Sequence, residues 1–491
     1  MGGKQSRGSP HGNLLEGTQW LRTVVQQHQK RRHHGGVSGY DSFVIEPFFI
    51  DGDGIEYVRV TIAFRNSKGK AQQVFWIVKA AKLESNSGFP SENNDHTGQI
   101  VVTDAASEIL PAWKTPVPIL THEIRVYTEL LTEIGKFLMN KKNQRARYLL
   151  NVPDLIHYER LQQNGKIVRC HLVTEDVTET KRCTPVKAFR IINGLSLGQF
   201  KVLLGTLAQF HAVGIAWSLG TKDDSLLDLF PFLHKTTGQE EIKRSQIHLE
   251  NYGKLLSVYF DDSSRQRKLF KSLLNKKDEL FRDTIKQDMC DSLGSLCLGT
   301  PMPHEIMYQY ETNFFDLCGV GGANIIWHTI NEEEKSTDED EQISPICAAV
   351  TTCHRVHYGH LLKELSDYFF LLPEPLIKER YIVFLLQSYC HVLTMTLEML
   401  DVDWQKHFGD LSFNKMVVAF YKHVPRAILQ SVIVHMELTD PEHLDTLFAS
   451  KKPPVIHEKS NQSLHLQKYI PLTPKRVQFL LSLMNLVHKS V

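Results

Sequence analysis

Apolar spacing changes period once along this 491-residue chain, and that change limits the fold more than any other feature. Tyr57 to Phe64 reads Y-V-R-V-T-I-A-F, which alternates and is β-branched, so it predicts a strand. Phe43-Val44-Ile45 and Phe48-Phe49-Ile50 precede it, with Asp51-Gly52-Asp53-Gly54 as the turn. Asn66-Ser67-Lys68-Gly69 turns the chain again into a strand from Gln73 to Ala80, which completes an antiparallel meander. Past residue 196 the period becomes helical. Phe200, Leu203, Leu204, Leu207, Phe210, His211 and Ile215 recur at helical spacing, predicting an amphipathic helix from Ser196 to Trp217. Strands followed by helices imply an α+β chain: a small antiparallel β lobe, then a larger helical lobe.

The connecting stretches fit that plan. A helix is expected from about Thr121, as N-cap, to Lys142, with Glu123 near its first turn. Strands are expected around Leu155–Glu159 and Ile167–Thr174, so the first lobe reads β-β-β-α-β-β. The divisions expected are a basic leader over 1–38, a β lobe over 39–177 with a flexible insertion at 84–117, and a helical lobe over 178–491. Within the last, Ile325–His328 and Ile346–Thr351 read as a hairpin whose connection, 331–342, is strongly acidic.

Charge excludes one class of partner. The 56 Lys and Arg nearly cancel the 55 Asp and Glu, so no global field steers the chain to nucleic acid. Eight cysteines without a C-x-x-C pair read as reduced, buried thiols of a cytoplasmic protein, with no disulfide frame or zinc motif. No apolar run approaches the roughly 18 residues of a membrane span. Met1-Gly2-Gly3-Lys4-Gln5-Ser6 fits the N-myristoylation pattern at Gly2. With Lys4, Arg7 and Lys30-Arg31-Arg32, it would give peripheral membrane contact through two weak signals. The alternative is a Gly/Ser-rich leader that begins Met-Gly by chance.

Several local stretches share one order. Val78-Lys79 ends the third strand; Glu123 lies in H-E-I-R-V-Y on the next helix; Leu172-Val173-Thr174-Glu175-Asp176-Val177 ends the last strand; Leu207-Ala208-Gln209-Phe210-His211-Ala212 lies in the long helix. In this order they resemble the ecdysteroid kinase-like (CHK kinase-like) family, relatives of choline kinases and aminoglycoside phosphotransferases. Leu365-Ser366-Asp367-Tyr368-Phe369-Phe370 looks like that family's D-L-x-x-F segment. The resemblance, over roughly residues 40 to 420, implies a protein-kinase-like two-lobe fold and ATP-dependent transfer to a small-molecule hydroxyl. It implies that Lys79, held by Glu123, faces nucleotide phosphates, and that Glu175 to Val177 form the hinge beside adenine.

The same resemblance exposes losses. The family takes its base and its Mg²⁺ ligands from H-G-D-x-x-x-x-N and D-F-Q. The first motif is matched to Cys318–Asn324 inside the Gly-rich stretch Phe314–Asn324, leaving Val320 or Gly319 at the base and Asn324 as a metal ligand. The second falls on Thr351-Thr352-Cys353. The turn at Gly52-Asp53-Gly54 lacks the family's serine. The expectation is a pseudokinase that binds a protein or a small lipophilic ligand. ATP stays open as a ligand, and Mg²⁺ is not expected. The alternatives are an active small-molecule kinase with relocated carboxylates such as Asp316, and nucleotide binding without turnover.

Overall fold

The computed structural model describes residues 23–24, 27, 39–50, 55–65, 69–82, 116–163, 166–186, 193–220, 226–234, 238–281, 293–299, 305–310, 345–409, 412–451 and 472–487. The chain divides into two compact units, one of residues 1–125 and 154–176, the other of 126–153 and 177–491. Residues 126–153, expected with the sheet, group with the helices.

The first unit is an antiparallel sheet of β1 (Gly39–Ile50), β2 (Glu56–Arg65), β3 (Ala71–Lys82), β4 (Leu155–Gln163) and β5 (Lys166–Glu175), in the order β1-β2-β3-β5-β4. The two apolar stretches before the first turn are one strand, with a register shift between Pro47 and Phe49. β1 is an edge strand, where proline is tolerated. Val58, Val60, Ile62 and Phe64 alternate along β2 and pack with Trp76, Val78, Ile156 and Val173 in one core. Each such side chain contributes roughly 1.5–3 kcal/mol on burial. Lys79, one residue from Val78, therefore points to the opposite face, paired across the ladder with Tyr57 and Leu172.

Helix α1 (Pro116–Arg125) buries Val117, Leu120, Glu123 and Ile124 at helical spacing. It begins upstream of Thr121, which is therefore not its N-cap. Proline is tolerated in a first turn because the N–H it lacks has no helical partner there. The chain then passes through a π turn, Val126–Leu130, into α2 (Leu131–Met139), both in the second unit.

The second unit is built round α3 (Leu197–Gly220). Ser196 Oγ accepts from the Gln199 N–H at 3.3 Å, and Gln199 Oε1 accepts from the Ser196 N–H at 3.2 Å. That reciprocal capping box starts the helix where the sequence predicts. Ser196→Ala is expected to lower stability by about 1 kcal/mol, read as a drop in the urea midpoint at unchanged slope. The amphipathic expectation for α3 is corrected: it is buried nearly all round, from Phe200 to Trp217. Among the described residues two helices, α3 and the later Ile382–Met399, are long and apolar enough to cross a membrane by length and composition; 72% of the α3 window is buried inside the protein. A central core helix meets the same criterion.

Around α3 lie a sheet of β6 (Cys183–Pro185), β8 (Ile306–Tyr310) and β9 (Pro345–Val350), and a pair of β7 (Gly294–Cys297) and β10 (His357–His360). Helices α4 (Gly238–Tyr259), α5 (Leu361–Leu371), α6 (Ile382–Met399), α7 (Phe413–Glu437) and α8 (Pro474–Val487) complete the elements used below. The six described cysteines carry free thiols. Burial pushes Cys170 up to about 11 and Cys390 up to about 12, so both stay protonated and unreactive.

Candidate functional site

In the sheet unit, strand β3 and helix α1 bring together two residues singled out from the sequence. Lys79 Nζ donates to Glu123 Oε1 at 2.6 Å, with the side chains 1% and 0% exposed. The ammonium also lies 5.4 Å from the centre of the Tyr57 ring. Two charges at this depth are stable only with good geometry and opposite sign.

Glu175 and Asp176 have partners inside the same unit. Glu175 Oε1 accepts from the Asp154 N–H at 3.1 Å, and the Glu175 N–H donates to the Asp154 carbonyl at 3.0 Å. The buried Asp176 carboxylate accepts from Arg59 Nε at 2.7 Å, and its N–H donates to the Phe75 carbonyl at 2.9 Å. These bonds fix the end of β5. The next residue, Val177, opens a short helix of the second unit.

In the helical unit one of the two expected hairpin strands is described, and it has a described partner. β9 pairs with β8, Ile306 opposite Val350 and Met307 opposite Ala349. The segment Ile325–His328, expected to be its partner, lies outside the described residues, as do Gly319, Val320, Asn324, Asp316, the acidic connection and Gly2. The segment between β7 and β8 is 298–305. It reads L-G-T-P-M-P-H-E. Its length equals that of H-G-D-x-x-x-x-N, and only its glycine agrees.

Both described ends of this loop are held by the segment after β9. The Thr351 N–H and hydroxyl donate to the Glu305 carbonyl at 2.9 and 3.0 Å. Arg355 Nη1 donates to Glu305 Oε2 at 2.6 Å, with the Glu305 side chain 1% exposed. His354 Nε2 lies 3.9 Å from the other carboxylate oxygen. At the loop's start, Gly299 has φ +73°, and a Cβ there would meet the Arg355 Cβ at 2.2 Å. Its carbonyl accepts from the Tyr368 hydroxyl at 3.2 Å. Glu305 and Arg355 escaped sequence reasoning. The signal was the short apolar run Leu296-Cys297-Leu298 closed by a glycine, ahead of the strand-like I-M-Y-Q-Y.

The ecdysteroid kinase-like family model matches residues 104–318, which include Glu123, the Glu175–Val177 turn, α3 and the 298–305 loop. No curated protein matches the chain. Among solved structures, the choline kinase LicA from Streptococcus pneumoniae is similar at 9% identity over 94% of this chain and 99% of that one, with a TM-score of 0.29.

Proposed function

We propose that this chain, an ecdysteroid kinase-like protein by its match over residues 104–318, is a pseudokinase that binds without transferring phosphate. The observation that carries the reading is the Glu305–Arg355 ion pair at 2.6 Å, at the end of the loop between β7 and β8. Laid on H-G-D-x-x-x-x-N, this loop puts Leu298 at the histidine, Thr300 at the aspartate and Glu305 at the asparagine. A threonine hydroxyl does not accept a proton from another hydroxyl near neutral pH. Loss of a general base alone costs about 10²–10⁴ in rate.

The metal position is altered in a second way. Glu305 offers a carboxylate, but Arg355 already supplies the positive charge beside it. At the D-F-Q position stand Thr351 and Thr352, which bring no carboxylate. A guanidinium held by covalent connection neutralises Glu305 without a divalent ion and without open coordination positions. In this reading the fold serves to hold a partner protein or a small lipophilic ligand.

One observation favours a nucleotide as a further ligand: the buried Lys79–Glu123 pair, in the geometry that orients a lysine toward phosphate oxygens. Melting the purified chain with ATP, in Mg²⁺ and in EDTA, tests both points. The expected result is the same melting temperature shift in both buffers and no ADP formed. A shift several degrees larger in Mg²⁺, or turnover with any alcohol acceptor, overturns the pseudokinase reading.

A further inference from the structure

One polar cluster in the helical unit lies outside the kinase-like positions. His211, on α3, is fully buried. Its Nδ1 lies 2.5 Å from the Tyr389 hydroxyl on α6, and its Nε2 lies 2.6 Å from Glu364 Oε2 on α5. Cys297, the last residue of β7, is buried beside them. One ligand-type atom from each of His211, Cys297 and Glu364 lies within 4.8 Å of the others.

A hydrogen-bonded core histidine accounts for part of this. It satisfies both imidazole nitrogens and one carboxylate oxygen. It leaves Glu364 Oε1 buried without a hydrogen-bond partner among the described residues. An unsatisfied buried acceptor costs about 1–3 kcal/mol, and more when charged. The Cys297 thiol beside the pair donates to the Ser295 carbonyl at 3.8 Å.

We propose that His211 Nε2, Cys297 Sγ and the Glu364 carboxylate form a buried binding site for a transition-metal ion of the zinc class. One imidazole nitrogen, one thiolate and one carboxylate oxygen make a borderline-soft set, which suits Zn²⁺ or Co²⁺ and disfavours Mg²⁺ and Ca²⁺. Loading converts the Cys297 thiol to thiolate and releases its proton. With the Glu364 carboxylate the ligands then carry two negative charges, which the ion cancels, so the filled site is neutral and tolerates burial.

Tyr389 has a place in this arrangement. A metal on Nε2 requires the proton on Nδ1, which then donates to the Tyr389 oxygen. The ligands stand on packed elements. Ser295 Oγ donates to the His211 carbonyl at 2.8 Å, and a Cβ at Gly214 would lie 2.7 Å from the Leu296 nitrogen. Strand β7 and helix α3 thus meet backbone to backbone, which sets Cys297 against His211. Two ligands on one tetrahedral ion at ~2.0–2.3 Å sit roughly 3.3–3.6 Å apart, so the carboxylate swings about 1 Å on loading. The three residues are far apart in sequence, which is why no spacing motif reveals them.

The test uses the full chain in two preparations: purified from zinc-supplemented cells, and refolded from denaturant with Co²⁺ or with EDTA. The expected result is about one zinc per chain by mass spectrometry. The cobalt form should show a thiolate-to-metal charge-transfer band, lost in Cys297→Ser. Refolding with EDTA should lower the melting temperature. Glu364→Gln, of the same shape, should weaken zinc binding at least tenfold and serves if the serine variant does not fold. No stoichiometric metal in either preparation overturns the proposal, and so does zinc retained equally in the folded variants.

Discussion

Lys79→Met is expected to destabilise the sheet unit by about 3–5 kcal/mol, because it strands a buried carboxylate beside an apolar chain. Glu123 is 0% exposed and Lys79 1%, so water does not screen what remains. The measurement is chemical denaturation, with amide exchange along β3 assigning the loss to this unit. Lys79→Met combined with Glu123→Leu should recover most of the loss, since apolar groups of similar volume replace a buried pair with little penalty. A single-variant loss below about 1 kcal/mol would mean that the pair is in effect a surface bridge. The double variant also separates stability from ligand binding. If ATP no longer shifts its melting while the fold persists, Lys79 serves a nucleotide; an unchanged shift makes the pair purely structural.

The parts of this chain that were legible share one property: length enough for a period to show. Tyr57 to Phe64 alternates over a full strand, and α3 carries both a capping box and three or more turns of apolar spacing. Val78-Lys79 could be placed because its strand was. β7 and β8 were missed for a physical reason. β7 has four residues, all buried, so no polar face marks its alternation. β8 is separated from its partner β9 by residues 311–344, so nothing local announces the hairpin. The Gly-rich stretch Gly319–Gly322, on which the sequence match to the first motif rests, lies outside the described residues. The Glu305–Arg355 pair joins residues fifty positions apart and was invisible without pairing. The long reach of the His211, Cys297 and Glu364 cluster hid it in the same way.

Gly299→Ala is expected to cost more than about 3 kcal/mol, and the reason bears on how the loop is read. Its φ of +73° alone costs alanine about 1–2 kcal/mol. The added Cβ would also lie 2.2 Å from the Arg355 Cβ and 2.6 Å from the Arg355 carbonyl oxygen. The second obstacle is backbone, so no rotamer relieves it; the segment after β9 must move and carry Arg355 away from Glu305. Arg355→Ala removes the ion pair but keeps the backbone in place. Because Arg355 is 28% exposed, its loss should cost less, about 1–3 kcal/mol. Urea denaturation of the two variants ranks them. If Arg355→Ala proves the costlier, the ion pair and not the close approach holds the loop. If Gly299→Ala does, the one residue of 298–305 that agrees with H-G-D-x-x-x-x-N is there because Arg355 leaves no room for a side chain. Its presence is then a packing requirement and carries no weight as evidence for catalysis.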